Sequence, residues 1–453
     1  KFLPSEYMNA SPSTASPAPE AVAQTKPKAL ARSDKHIWGI FIVLCIISVI
    51  ELYSASSREV AASSIGVIGP IVRHLFMLGM GVAITWILSR RHYSDFAIFT
   101  VVFSALSAVA MLYVMFYGNY VNGARRSFSL LGIGVYPAEM VKISAVLLVA
   151  LVMTLNQDPH GVGITKKGMI WSGVVIMFFS ALLIEQGLTN TLLLIAITYS
   201  MMLIGGVRWL HLISLTAFYA MCGVFFVGYL YFTEVNNDIP ADASQAVELA
   251  DDGSVGRKPS RIETWIARMS RHSSDSIPKW EIEPVGKNRQ EILSYMAQAN
   301  GGIHGVGPGN SRESARLPLA FSDYIYAIVV EELGLIGGVA VLILYLWLLA
   351  RAAGIASRCS ITYPALIVMG MAVMIAFQAL FHMGIVTGVF PVSGQPLPLI
   401  SKGGTSIIVT CIAFGIMLSV SRTASRHGNK KHEISEEKES LPEQLRDENK
   451  MQL

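Results

Sequence analysis

Charge is what this sequence has least of. Asp, Glu, Lys and Arg make up 15% of its 453 residues and hydrophobic residues 53%, where a soluble domain carries roughly 25% charged residues. The chain therefore lacks the polar surface to face water on all sides. Cysteine is scarce too: Cys45, Cys222, Cys359 and Cys411 stand singly in or beside apolar stretches. No C-x-x-C spacing is present, which excludes the usual zinc and redox motifs and leaves small buried hydrophobes. The histidines contain no H-E-x-x-H, and neither a Walker loop nor a serine elbow is visible. Gly305-x-Gly307-x-Gly309 follows no strand pattern, so it is no dinucleotide fingerprint. No basic stripe interleaved with aromatics points to nucleic acid.

What is present is a series of apolar runs, each about as long as a helix needs to cross a bilayer. They lie at 37–56, 69–89, 96–117, 138–155, 169–186, 189–206, 210–232, 324–350, 361–388 and 403–421. The expected fold is an all-α polytopic membrane protein of about ten transmembrane helices. A long extracytoplasmic loop, 233–323, separates the seventh from the eighth. Residues 1–35, rich in Ser, Pro and Ala, read as a disordered tail rather than a cleavable leader. Residues 36–421 form the membrane domain, and 422–453 a charged tail.

Lys and Arg orient it. The first tail, Arg90-Arg91, Lys166-Lys167, Arg208, Arg351 with Arg358, and Arg422 with Arg426 all fall on one side when ten spans are counted. The positive-inside rule makes that side cytoplasmic, both termini included. The opposite side then receives Asn122-Gly123-Ala124-Arg125-Arg126, the long loop and the stretch 388–402.

Two arginines on the side that disfavours them are either an interfacial pair or an anion clamp, because guanidinium forks match phosphate oxygens. Glu139 and Lys142 are three apart on one helix face and can pair inside the membrane. Glu331 and Glu332, adjacent on a helix, point about 100° apart and so cannot share one partner. For these, and for Glu51 and Glu185, an internal hydrogen-bonded lock is expected. The stretch 388–404 is apolar, yet Pro391, Pro396 and Pro398 with four glycines forbid a helix. Irregular backbone at membrane depth must be buried in protein or line a cavity, which makes this a re-entrant loop beside a substrate groove.

In order, these stretches resemble the shape, elongation, division and sporulation family, the peptidoglycan glycosyltransferases that include FtsW and RodA. Tyr53-Ser54-Ala55-Ser56 is similar to Y-S-A-S, and Asn122 to Arg126 with Pro137, Glu139 and Lys142 to N-G-A-R-R…Q-P-S-E-x-x-K. Gly307-Pro308-Gly309-Asn310-Ser311, Leu317-Pro318 and Ser322-Asp323-Tyr324-Ile325-Tyr326-Ala327 resemble G-x-G-N-S…L-P…T-D-F-I-F-A. Glu331-Glu332-Leu333-Gly334 matches E-E-x-G, and Gly394 to Gly404, containing Ser401 and Lys402, matches G-x-x-L-P-x-I-S-x-G-G. The pattern is closer to the division type, in a Bacteroidetes-like variant.

The resemblance implies polymerisation of lipid II outside the membrane, with a class B penicillin-binding protein and other divisome membrane proteins as partners, at the septum of the inner membrane. It makes Arg125, Arg126, Glu139, Lys142, Ser401 and Lys402 substrate-binding, and Asp323, Glu331 and Glu332 structural polar groups within the membrane domain. The family's catalytic Asp, in D-P-x-G-x-G-Y-Q, has no direct match. One alignment reaches Glu283-Pro284-Val285-Gly286, another reaches Asp275, and both stay open as the general base. Glu185-Gln186-Gly187-Leu188-Thr189 departs from Q-P-D-x-G-T, so no metal ligand is assigned, although a divalent cation stays open as a cofactor. A lipid-linked precursor flippase and an inactive division scaffold are the competing readings.

Overall fold

A computed structural model describes residues 33–55, 68–121, 124–130, 133–157, 163–184, 186–236, 247–249, 255–257, 288–317, 320–359 and 361–439. Every one of the ten apolar runs falls on a helix: α1 (Lys35–Ala55), α2 (Ile68–Arg90), α3 (Asp95–Tyr117), α4 (Pro137–Leu155), α5 (Lys166–Ile184), α6 (Leu188–Ile204), α7 (Trp209–Asn236), and, beyond the long loop and its helix α8 (Arg289–Gly301), α9 (Ile325–Ala356), α10 (Thr362–Val386) and α11 (Gly404–Glu439). Among the described residues, eight of these helices are long and apolar enough to cross a membrane. The apolar parts of α6 and α7, Leu188–Ile204 and Trp209–Phe225, are shorter. Seventeen residues of α6 rise about 26 Å, against a hydrocarbon core of roughly 30 Å. The last helix runs past the expected end at 421 to Glu439.

Helices α4, α10 and α11 are buried along most of their length, and α2, α3 and α9 ring them with apolar side chains outward, such as Ile98, Val102 and Ile343. Lipid tails are as apolar as leucine, so burial alone does not draw these helices together, and close packing of small residues must. A Cβ on Gly81 of α2 would stand 2.6 Å from Cys411 Sγ of α11, and one on Gly415 of α11 2.8 Å from Leu88 Cβ. Between them Thr85 Oγ1 donates to the Cys411 carbonyl (2.9 Å). Further along α11 at the same end of the bundle, Asp34 accepts from the backbone N–H of His36 and Ile37, pairs with Arg351 of α9, and gives its own N–H to Ser421 Oγ of α11. Burial pushes the Asp34 carboxyl up, but Arg351 and the backbone donors outweigh it and hold it below its ordinary value.

No strand is expected here, yet β1 (Asn119–Val121), β2 (Ala124–Leu130) and β3 (Ile133–Val135) form an antiparallel meander between α3 and α4. Thr405 at the start of α11 ties it down, accepting from Tyr136 N and donating to the Gly134 carbonyl, both at 3.1 Å. Within the long loop, β4 (Val247–Leu249) and β5 (Val255–Arg257) pair antiparallel, and α8 forms further along.

Helix α9 is broken at Gly334, whose φ of 72° and ψ of −176° belong to glycine alone. Segment 301–307 lies against the break and takes up the freed backbone groups. Val306 N donates to the Glu331 carbonyl (3.0 Å) and Gly307 N to that of Glu332 (2.9 Å), while Leu335 N donates to the Gly302 carbonyl (2.9 Å). A Cβ at Gly334 would stand 2.2 Å from the Ile303 carbonyl oxygen. Gly334→Ala is expected to destabilise the protein by roughly 1–3 kcal/mol or more, read as a lower thermal midpoint in detergent. Gly354→Ala, at a helical glycine with open space around it, leaves the midpoint unchanged.

Candidate active site

Between α10 and α11 the chain has no regular structure across 391–403 apart from a turn at 398–400, and most of it is buried. Each exposed carbonyl there must find a donor other than water. The Gln395 carbonyl accepts from His382 Nδ1 (2.6 Å), that of Pro396 from Gln378 Nε2 (3.3 Å), and that of Pro398 from Tyr345 Oη (2.5 Å). Ile400 accepts from Ser48 Oγ (3.3 Å), and Leu397 from Ser401 N (2.9 Å). Ser401 Oγ in turn accepts from Leu397 N and donates to the Ser322 carbonyl, both at 2.7 Å. The loop is thereby fastened to α1, α9, α10 and the segment before α9. Leu399, fully buried, is driven to φ 68°.

At the mouth of this loop four expected site residues converge. Lys402 N donates to the Phe321 carbonyl (2.9 Å), and its ammonium stands over the Phe321 ring at 5.0 Å. Asp323 accepts from Ser322 Oγ (2.8 Å) and feels the charge of Arg126. The backbone of Gly394 comes close to this carboxyl: a Cβ there would lie 3.0 Å from Asp323 Oδ2. Burial raises the Asp323 carboxyl above its ordinary value, with Ser322 and Arg126 pulling it back. Burial pushes the Lys402 ammonium down to about 8.

The two arginines do not act as one clamp. Successive residues of a strand face opposite sides, so Arg126 turns toward Asp323 while Arg125 reaches back to the last turn of α3. There Arg125 Nη1 donates to the carbonyls of Phe116 and Met115. Gln186 Nε2 fixes the strand by donating to the Arg125 carbonyl (2.6 Å).

Deeper in, Glu139 and Lys142 pair as their spacing suggests, at 2.8 Å, with Lys142 fully buried. Gln378 of α10 completes a triangle, accepting from Lys142 Nζ (3.2 Å) and donating to Glu139 Oε2 (3.3 Å). Breaking such a pair by removing one partner costs about 3–5 kcal/mol, because the other charge stays buried. Glu331 and Glu332 part as adjacent helix positions must. Glu331 accepts from Ser311 Oγ and from Arg312 N (3.0 Å), and Glu332 from Ser54 Oγ of α1. Glu51 departs from the expected lock: it is fully buried and neither carboxylate oxygen has a hydrogen-bond partner. Glu185, Asp275 and Glu283 lie outside the described residues.

Sequence reading missed Gln378, His382, Gln395 and Asn190, whose side chains or backbone hold the loop; Gln395 Nε2 donates to Asn190 Oδ1 (2.8 Å). The available signal was Gln378 and His382 four apart in an otherwise apolar helix, a costly placement that marks an inward polar face. Among the described residues no group of three His, Cys, Asp or Glu side chains could hold a metal ion.

The model of the FtsW, RodA and SpoVE family, described as cell cycle proteins, matches residues 34–426. The chain is 27% identical over 400 residues to the probable peptidoglycan glycosyltransferase FtsW of Trichlorobacter lovleyi, covering 87% of this chain and 95% of that one. It is 26% identical over 394 residues to the peptidoglycan glycosyltransferase MrdB of Escherichia coli K12, covering 85% and 93%. In fold it is similar to a chain of a solved peptidoglycan synthase complex that coordinates polymerization and crosslinking, with a TM-score of 0.60, 22% identity, and 86% and 98% coverage. With that match running from the start of α1 into α11, the chain belongs to the FtsW, RodA and SpoVE family of cell cycle proteins.

Proposed function

We propose that this protein is a peptidoglycan glycosyltransferase that polymerises lipid II on the outer face of the inner membrane at the division septum. The observation that carries the proposal is the convergence of Arg126, Asp323, Ser401 and Lys402 at an irregular, fully fastened loop in a multi-pass membrane domain. The relatives' shared name as peptidoglycan glycosyltransferases supports the reaction class. In this reaction an acceptor sugar hydroxyl attacks the donor's anomeric carbon, the bond to the lipid pyrophosphate breaks, and the hydroxyl proton passes to a base. Arg126 and Lys402 supply cations for the leaving pyrophosphate. The base is Asp275 or Glu283, in the outer loop. The competing scaffold reading draws on the missing D-P-x-G stretch. The crosslinking complex that the fold resembles supports a class B penicillin-binding protein as partner, seated on the lipid-facing side of α9, where Leu335, Val339 and Ile343 are exposed, rather than on the buried α10.

Three measurements test this. Purified protein with its partner is expected to turn lipid II into glycan strands visible on a gel. One of Asp275→Ala and Glu283→Ala lowers the rate by roughly 10²- to 10⁴-fold, and the other is tolerated. Retention of full activity by both would place the base elsewhere, and an inactive wild type would favour the scaffold.

The second is a pH profile. Lys402 is charged below about 8 and neutral above it, so its pull on pyrophosphate is lost as pH rises through that value. The kcat/KM for lipid II, which reports the free enzyme, falls on this alkaline limb, and Lys402→Arg moves the limb upward. An unmoved limb removes Lys402 from the pyrophosphate site.

The third concerns orientation, ten spans with both termini cytoplasmic. A cysteine at Ser254 reacts with an impermeant maleimide in intact spheroplasts; labelling only after lysis overturns the topology.

A further inference from the structure

Beyond Lys35 and His36 at its start, helix α1 is apolar except for one stripe, Ser48, Glu51 and Ser54, spaced three apart on a single face. The outer two are accounted for. Ser48 donates to the Ile400 carbonyl and meets His74 Nε2 of α2 at 3.0 Å; Ser54 donates to Glu332 of α9. Glu51, between them, is 0% exposed, and both of its carboxylate oxygens lack a hydrogen-bond partner; Glu332 Oε2 is buried and lacks one as well. The Ser54–Glu332 hydrogen bond places the Glu332 carboxyl on the same face of α1 as Glu51, one helical turn along.

The charged groups around them are committed elsewhere. Glu331 of α9 is held by Ser311 Oγ and the backbone of Arg312 and Glu313. Glu313 faces Arg316 at 3.6 Å, and His74 faces Ser48. The re-entrant loop offers the Ile400 carbonyl, and α11 meets α1 through Phe414 on Phe41. Two ionised carboxylates buried side by side without a cation are not sustainable, and such pairs titrate as a unit that keeps one proton.

We propose that Glu51 and Glu332 share a single proton, and that this proton locks α1 to the broken helix α9. One O–H donated across the pair satisfies both orphaned sides with a single hydrogen. Glu332 sits two residues before the Gly334 break, and its carbonyl accepts from Gly307. The lock therefore positions segment 301–313 against the groove. Glu51 acts through Glu332 and is a positioning residue. The inference holds whatever the substrate, and its test does not depend on polymerase activity.

The experiment follows thermal unfolding of the full chain in detergent from about pH 7 to about pH 10, with infrared spectra of the same samples. Wild type is expected to show a protonated-carboxyl band near neutrality that disappears as pH rises, together with a fall in thermal midpoint of about 4 °C or more. Glu51→Gln supplies the donor permanently, so it lacks the band and holds its midpoint across the range. Deprotonation of Lys402, a base destabilised by burial, works in the opposite direction and cannot mimic the fall. Asp323, whose carboxyl burial also raises, is removed as a source of the band by recording it in Asp323→Asn as well; should Glu51→Gln fail to fold, loss of the remaining band in Glu332→Gln supports the proposal and its survival there overturns it. A flat wild-type midpoint without a band overturns the proposal, as does a parallel fall in Glu51→Gln. A midpoint that shifts when sodium is exchanged for potassium overturns it in favour of a bound cation.

Discussion

A carbonyl oxygen buried beyond the reach of water must be met by a donor from the protein, and between Gln395 and Ile400 the chain turns five of them inward in six residues. Helices satisfy such groups internally; this segment, with Pro396 and Pro398 in it, has no such means. The solution is to borrow. His382 and Gln378 from α10, Tyr345 from α9, Ser48 from α1 and the backbone of Ser401 each serve one carbonyl. Because the donors sit on three different helices, the loop cannot form until those helices have packed. Its position is then as fixed as theirs. Lys402 and the glycine at 394 inherit that fixity, which is what a site needs if its charges are to act without reorganising.

The same economy shapes the electrostatics. Where charges are buried deepest the domain neutralises them: Lys142 and Glu139 close a triangle with Gln378. At the mouth Arg126 and Lys402 bring cationic side chains to the surroundings of one carboxyl, Asp323, which burial raises. An anion arriving there gains more than it would in water, since the surroundings are partly desolvated. Strand geometry sets the count: by sending Arg125 to the end of α3, β2 leaves one arginine at the mouth.

How far the sequence discloses this depends on the range of the interaction involved. The apolar runs disclose the helices, because burial in lipid acts residue by residue. The Glu139–Lys142 pair is disclosed by spacing on one helix, and the irregular loop by proline and glycine, whose dihedral limits are intrinsic. The meander at 119–135 is not, since its strands are short and its pairing depends on α11 through Thr405. Nor is the break in α9: Gly334 reads as an ordinary helix glycine until segment 301–307 approaches it. Glu51 shows the limit most clearly. Its placement in an apolar run announces a partner, but only the packing of α1 on α9 brings another carboxyl, Glu332 on Ser54, to the same face of the helix. Asp275 and Glu283 rest on motif spacing alone.

The two ends of the bundle are built on opposite principles, and that contrast explains how one of them tolerates so much polarity. At the end that holds the start of α1, Asp34 joins three helices through an ion pair with Arg351, two backbone donors and Ser421. The apolar middle, with most of α4, of α10 and of the apolar part of α11 buried, resists separation by close packing. The opposite end carries the costs: a non-glycine residue at positive φ, a helix broken at Gly334 and a fully buried carboxyl without a hydrogen-bond partner. Such costs persist only where the surrounding structure over-determines them. Here the Asp34 clamp and the packed middle do that, and strain gathers at the end where a substrate would enter.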